Sequence, residues 1–203
     1  KRIITSREAM ILKEKPTSIA IIGAGAIGIE FAHFYNSFGT KVTIIESMTH
    51  ILPNEDKDVA DELAKIFNKR GIEIITGELV DSVENQGGNI EVVLKSKEKI
   101  ISDYAIVAVG AQSNIENIGL EKVGIKTKYG SILVNQYLQT NEENIFAIGD
   151  VVGPPMLAHK ASREAIVAVE KIANKDPEPM KYDNIPSCVY SNPEIASVGL
   201  TEK

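Results

Sequence analysis

The chain has 203 residues, of which 43 % are hydrophobic and 25 % charged, and a formal net charge of −6. These are the proportions of an ordinary globular protein with room for one large domain or two small ones, and the acidic balance excludes the basic face that nucleic acid requires. The longest apolar runs are strand-sized, which excludes a membrane-spanning helix, and the single cysteine excludes an internal disulfide or a cysteine metal cage and fits a reducing, cytoplasmic setting.

Residues 1–16 read as a linker with a short helix, opened by the capping-box-like Thr5-Ser-Arg-Glu8. The apolar run Ile19 to Ile22 then reads as a buried parallel strand, because a strand covered on both faces has no polar side to show. It runs into Gly23-Ala-Gly25-Ala-Ile-Gly28, a G-x-G-x-x-G turn. In such a turn Gly23 permits the tight bend and Gly25 opens the backbone at Ala26 and Ile27 to a pyrophosphate. Gly28 lets the following helix sit close to the strand. That helix is expected to bury a stripe of Ile27, Phe31, Phe34 and Phe38, with Gly39 as its stop.

A second apolar strand, Val42 to Ile45, ends in Glu46, eighteen residues past Gly28. An acid near this spacing accepts hydrogen bonds from the adenosine ribose of a dinucleotide. The same carboxylate would repel the 2′-phosphate of NADP, and Ser47 to Leu52 supplies no arginine to offset it, so NAD is favoured. His33, His50 and His159 are too scattered to suggest a metal site.

Asn54-Glu55-Asp56 opens an acidic helix whose expected buried stripe is Val59, Leu63, Ile66 and Phe67, ending near Gly71. Ile72 to Thr76 is a third strand. Leu79 to Glu84 and Ile90 to Lys95 form a hairpin across Gln86-Gly-Gly88, with an edge at Ile100 to Ser102. Tyr104 to Val109 is another buried strand, ending at Gly110. An antiparallel meander inserted between the last two parallel strands explains this order better than a further helix.

Beyond Ala111 the composition loosens, and a domain boundary falls near Gln112. Ile132 to Val134 reads as a short strand. A buried strand at Ile145 to Ile148 is expected to deliver Gly149-Asp150 at its carboxyl end, where a carboxylate holds a sugar hydroxyl or merely caps a turn. Met156-Leu-Ala-His-Lys-Ala161 opens a helix whose small apolar stripe is Ala161, Ala165, Ala168, Val169 and Ile172. Two short strands follow, Cys188 to Tyr190 and Ile195 to Leu200. Cys188, in an apolar setting with no basic neighbour, reads as a structural thiol. The chain starts without methionine and stops just after a strand-like run, which reads as a piece of something longer.

In this order the pieces resemble the class I flavoprotein disulfide reductases, and within them the NAD-linked branch that oxidises dihydrolipoyl groups. The resemblance rests on Gly23 through Glu30, Val42 through Glu46, Val109-Gly110, Thr140 through Asp150, Met156 through Ala161 and Ile185 through Glu202. It implies an α/β fold: a Rossmann-like, doubly wound parallel sheet with an antiparallel meander insertion, plus a partial FAD-domain segment. The implied plan is an NAD-binding domain at 17–112, the second FAD-domain segment at 113–183 and an incomplete dimerisation domain at 184–203.

The resemblance further implies that Asp150 holds the ribitol–pyrophosphate region of FAD. The backbone at Ala158 would face the flavin pyrimidine ring, and Val80 and Gly110 would make backbone contacts with NAD. Glu30 would pair with a flavin-side lysine. The parent is implied to be a homodimer that meets the lipoyl domains of 2-oxoacid dehydrogenase complexes, passing electrons from dihydrolipoamide through a cysteine pair and FAD to NAD. That cysteine pair and the catalytic base lie outside these residues, so the chain alone is expected to be inactive. Ala111 and Ser113 stand where the family commonly has arginine and proline. Two alternatives remain open at this point: another reductase of the class, and a non-catalytic NAD-sensing module.

Overall fold

The computed structural model describes residues 1–201. They form two compact units, one of residues 1–110 with 188–197, the other of 111–187 with 198–200.

In the first unit the elements run β1 (Ile3–Ile4), α1 (Ser6–Ala9), β2 (Ser18–Ile22), α2 (Ala26–Ser37), β3 (Lys41–Glu46), α3 (Lys57–Lys69), β4 (Glu73–Thr76), β5 (Val80–Asn85), β6 (Ile90–Leu94), β7 (Lys99–Ser102) and β8 (Tyr104–Val107). Five of the strands make a parallel sheet in the order β1-β8-β2-β3-β4. From β2 the chain winds one way to β3 and β4, then returns to place β8 on the other side. The strand order therefore reverses between β2 and β8, and ligands of open α/β sheets bind beyond the carboxyl ends of the strands at such a reversal.

One sheet face packs on α2 and α3 through Ile19, Ile21, Ile29, Ala32, Leu63 and Phe67. The other is covered by the expected antiparallel meander β5-β6-β7, whose Ile90, Val92 and Leu94 meet Ala20, Ile22, Ile45 and Ala105. Both faces are therefore dry, which is why β2 and β3 read as unbroken apolar runs.

Three expectations about this unit need correction. The residues read as a linker include β1, which pairs in parallel with β8, Ile3 beside Ala105 and Ile4 beside Ile106. Two residues are too few for periodicity to register. Next, α2 buries Gly28, Ile29, Ala32 and Tyr35, not the aromatic stripe: Ile27, Phe34 and Phe38 are exposed and Phe31 is half-buried. Gly28 and Ala32 let the helix approach the sheet closely, and the Tyr35 hydroxyl donates to the Ala9 carbonyl at 2.6 Å. Finally, α3 buries Ala60 where Val59 was expected, and Val59 faces solvent.

At the start of α1, the Thr5 amide and hydroxyl donate to one Glu8 carboxylate oxygen at 2.8 and 2.6 Å. The Thr5 hydroxyl, the Thr5 amide and the Lys1 ammonium hold the Glu8 carboxyl well below its ordinary 4.5, at about 2. A depressed carboxyl stabilises the fold above its ordinary value, and that contribution is lost as pH falls through the folded value. Protection of Thr5 and β1 amides against exchange, taken relative to the intrinsic rate at each pH, is therefore expected to fall selectively as pH drops from about 4.5 to about 2, with Glu8→Gln abolishing that pH dependence.

The second unit holds the β9 (Thr127–Lys128) and β10 (Ser131–Ile132) hairpin, α4 (Ala158–Ile172) and a small core of Leu138, Val167 and Ala168. The strand expected at Ile145 to Ile148 is absent. Among the described residues this run makes one isolated bridge, Gln139 to Phe146, and then a 3₁₀ turn at Gly149–Val152. A run reads as a strand by its side chains, but it becomes one only where neighbouring backbones supply partners.

The buried face of α4 is Lys160, Glu164, Val167 and Ala168, while Val169 and Ile172 from the expected stripe are exposed. The last two strands, β11 (Ser187–Val189) and β12 (Ile195–Ser197), pair with each other, and Val189 and Ile195 join the core of the first unit. Part of the stretch read as the start of a dimerisation domain thus packs with residues 1–110.

Candidate nucleotide-binding site

The reversal between β2 and β8 brings together most of the residues singled out in the sequence. Gly23 leaves β2 with φ +102°, and an added Cβ would lie 2.5 Å from the Ala108 carbonyl oxygen. The two loops at the reversal thus touch backbone to backbone. Gly28 is tighter still, since its Cβ would lie 1.9 Å from the Gly23 carbonyl oxygen. Gly110 follows β8 with φ +131°.

Gly25 differs from its neighbours. It is the N-cap of α2 with φ −71°, which any residue adopts, and a Cβ there would meet nothing within 4 Å. Protein packing does not require this glycine. It leaves open the space in front of the first-turn amides at Ala26, Ile27 and Gly28, which lack intrahelical acceptors by helix geometry and have no side-chain cap. With the positive end of the helix dipole added, that opening suits a pyrophosphate.

Glu46 closes β3 and is 7 % exposed. One carboxylate oxygen accepts from the Ala24 amide at 2.7 Å, the other from the Met48 amide at 2.8 Å and the Ser47 hydroxyl at 3.1 Å. No cation pairs with it among the described residues, and each oxygen keeps acceptor capacity for a further donor. Sequence reasoning placed this acid on a ribose but missed its bond to Ala24, which ties it to the glycine turn. Behind it, the Glu78 amide donates to the Glu46 carbonyl and the Gly77 amide to the Met48 carbonyl, at 3.1 and 2.8 Å. Val80 starts β5 just after this connection and is half-buried.

Glu30 lies on the outer side of α2, where one carboxylate oxygen accepts from the Tyr190 amide at 2.9 Å. It borders an apolar groove of about 670 Å³ lined by Met10, Phe34, Phe38 and Tyr190 among others.

In the second unit Asp150 is exposed on the Gly149–Val152 turn, and Ala158 opens α4. The turn is bound from beneath. The Lys160 ammonium donates to the carbonyls of Gly149 at 3.2 Å and Gly153 at 2.9 Å, and lies 3.3 Å from Glu164. Glu164 accepts from the Gly149 amide at 2.7 Å and from the Tyr182 hydroxyl at 2.9 Å. Burial, then the bond to Glu164 and its charge, raises the Tyr182 phenol above its ordinary pKa.

The sequence profile of the pyridine nucleotide-disulphide oxidoreductases matches residues 1–165. The chain belongs to this family. The dihydrolipoyl dehydrogenase of Chlorobaculum tepidum is 46 % identical over 207 residues and that of Bacillus subtilis 44 %, each match taking in all of this chain and 44 % of the relative. The chain thus spans under half the length of these curated relatives. Among solved structures, LpdA from Mycobacterium tuberculosis superposes with a TM-score of 0.93 at 30 % identity, covering 98 % of this chain and 44 % of that one. The HOCl-induced flavoprotein disulfide reductase RclA from Escherichia coli gives 0.93 at 29 %, covering 99 % and 46 %.

The expected fold class, a parallel α/β sheet carrying an antiparallel meander, is the one this chain has. Of the two positions expected to depart from the family pattern, Ala111 and Ser113, the second is buried, and its hydroxyl donates to the Asp150 carbonyl at 2.7 Å and so helps hold the turn. Sequence reasoning missed that bond and the Lys160–Glu164 pair. The available signal was a lysine and a glutamate four apart in an alanine-rich helix, a spacing that more often marks a solvated pair.

Proposed function

We propose that these 203 residues are the NAD-binding part and the flavin-side wall of an FAD-dependent dihydrolipoyl dehydrogenase. The observation that carries the reading is Glu46, a buried acid held by backbone donors at the end of β3 beside an open helix N-terminus. NAD would lie over the turn from Gly23 to Gly28, its pyrophosphate against the amides at Ala26 and Ile27 and its adenosine ribose on Glu46. Val80 and Gly110 would contact it through their backbones.

Asp150 and the α4 start at Ala158 would hold FAD, and Glu30 would orient a lysine on the flavin side. When bound, FAD supplies two-electron transfer between a dithiol and the nicotinamide. The residues named here bind and orient. The one cysteine, Cys188, leaves no dithiol pair within these residues. The names of the relatives, at 44–46 % identity, support dihydrolipoyl groups as the substrate. A homodimer, lipoyl domains as partners and a cytoplasmic site belong to the same reading, as does the domain plan of 17–112, 113–183 and 184–203. The likeness to RclA favours a second reading, a sister reductase with another substrate.

Titration calorimetry with NADH and NADPH tests the assignment. Glu46→Ala is expected to weaken NADH about 10- to 100-fold, the loss of one or two hydrogen bonds to a charged acceptor. A native preference for NADPH, or indifference to the substitution, overturns it.

A further inference from the structure

The Lys160–Glu164 pair touches no solvent, with both side chains at 0 % exposure. Burying two charges is costly, and well-packed apolar residues of the same volume often serve stability as well or better. What apolar residues cannot do is satisfy buried backbone. Here the lysine takes two carbonyls, Gly149 and Gly153, that bracket the Gly149–Val152 turn, and the glutamate takes the Gly149 amide. Ser113 takes the Asp150 carbonyl. Four backbone groups of one short turn are thus held by three side chains.

The Asp150 carboxylate, by contrast, has no hydrogen-bond or ion-pair partner among the described residues and stands exposed. A turn fixed at its backbone and unengaged at its one acidic side chain is built to present that side chain. The same lysine also ties the turn to the first helical turns of α4, so the carboxylate and the α4 amino end are set relative to each other by one buried ammonium. Gly149 has φ +78° and Gly153 has φ +96°, conformations that glycine enters freely and leaves as freely, so the turn's shape is held by its hydrogen bonds and not by its own backbone.

We infer that Lys160 and Glu164 are positioning residues for FAD: they act through the Gly149–Val152 turn to hold Asp150 and the start of α4 in the arrangement that grips the cofactor. The inference rests on the reading of Asp150 as a flavin ligand given above.

The test uses the flavin-loaded full-length protein with two variants. Lys160→Met/Glu164→Gln keeps side-chain volume and removes both charges together, so no unpaired ion is left in the interior. Asp150→Asn removes the carboxylate charge and leaves the turn bound. Read out are FAD dissociation by release of flavin fluorescence, NADH affinity, melting temperature of the apoprotein, and amide exchange in the peptide spanning Gly149 to Gly153. The double variant is expected to melt within a few degrees of wild type and keep its NADH affinity. It is also expected to exchange faster at Gly149 and to release FAD at least tenfold more readily.

Unchanged FAD release in the double variant, with Asp150→Asn releasing FAD faster, overturns the positioning role alone. Unchanged release in Asp150→Asn overturns the placement of the flavin and the inference with it. A double variant that loses FAD and NADH affinity together with its melting transition shows the pair to be merely structural, and also overturns it.

Discussion

Gly28→Ala is expected to lower stability by about 3 kcal/mol, the upper range for forced overpacking, and to abolish measurable NADH binding. The added carbon would sit 1.9 Å from the Gly23 carbonyl oxygen and 3.0 Å from its carbon. Neither partner can yield. The Gly23 amide donates to the Ile45 carbonyl at 2.8 Å, and its Cα side faces the Ala108 carbonyl with no room for a Cβ. Relief must come from moving α2 off the sheet, which opens the contacts of Ile29, Ala32 and Tyr35 with the core.

Gly25→Ala makes the informative contrast. Nothing lies within 4 Å of its Cβ and its φ is ordinary, so only the modest loss of a glycine N-cap, under about 1 kcal/mol, is expected in stability. Its NADH affinity should nonetheless fall at least tenfold, because the methyl group occupies the approach to the first-turn amides. For a protein of this size, roughly 2–4 °C of melting temperature per kcal/mol puts Gly28→Ala about 10 °C below wild type. Gly25→Ala should melt almost unchanged. Melting curves and calorimetry on the two variants separate a glycine needed by the fold from one needed by the ligand. Equal melting losses would remove the argument that the space before Gly25 is kept for a nucleotide.

What the sequence made legible follows from what each signal measures. Four of the five parallel strands and the glycine turn could be read because burial on both faces and a special turn conformation each constrain residue type directly. Ile19 to Ile22 and Gly23 to Gly28 had few alternatives. The helix faces were misread because hydrophobicity reports what a residue avoids, not which neighbour it has. On α2 the burial of Gly28 and Ala32 was fixed by backbone clearance, and the larger Phe34 and Phe38 were left outside. The strand expected at Ile145 to Ile148 failed for a related reason, since strand pairing is a property of two segments. The charged clamp on the Asp150 turn was illegible because lysine and glutamate four apart look alike in solvent and in a dry interior. Only the carbonyls of Gly149 and Gly153 tell the two apart.

That clamp sets the other large expectation. Lys160→Met alone should cost about 3–5 kcal/mol, the range for removing one partner of a buried ion pair. It should lower the melting temperature by roughly 6–20 °C at 2–4 °C per kcal/mol. The methionine fills most of the volume, so the loss is electrostatic. Glu164 would stay fully buried without its cation, and the Gly149 and Gly153 carbonyls would lose their shared donor. Adding Glu164→Gln should recover most of the loss, because a neutral amide can still accept from Gly149 or Tyr182 and leaves no charge in the interior. The recovery is the decisive part. If lysine served only as packing, Lys160→Met would be benign and the second substitution would do nothing. If the pair stabilised through its own attraction, the double variant would be no better than the single one. Only a pair whose charges balance each other, and whose donors and acceptors serve the turn, gives a severe single variant, a mild double one and a loosened Gly149 amide in both.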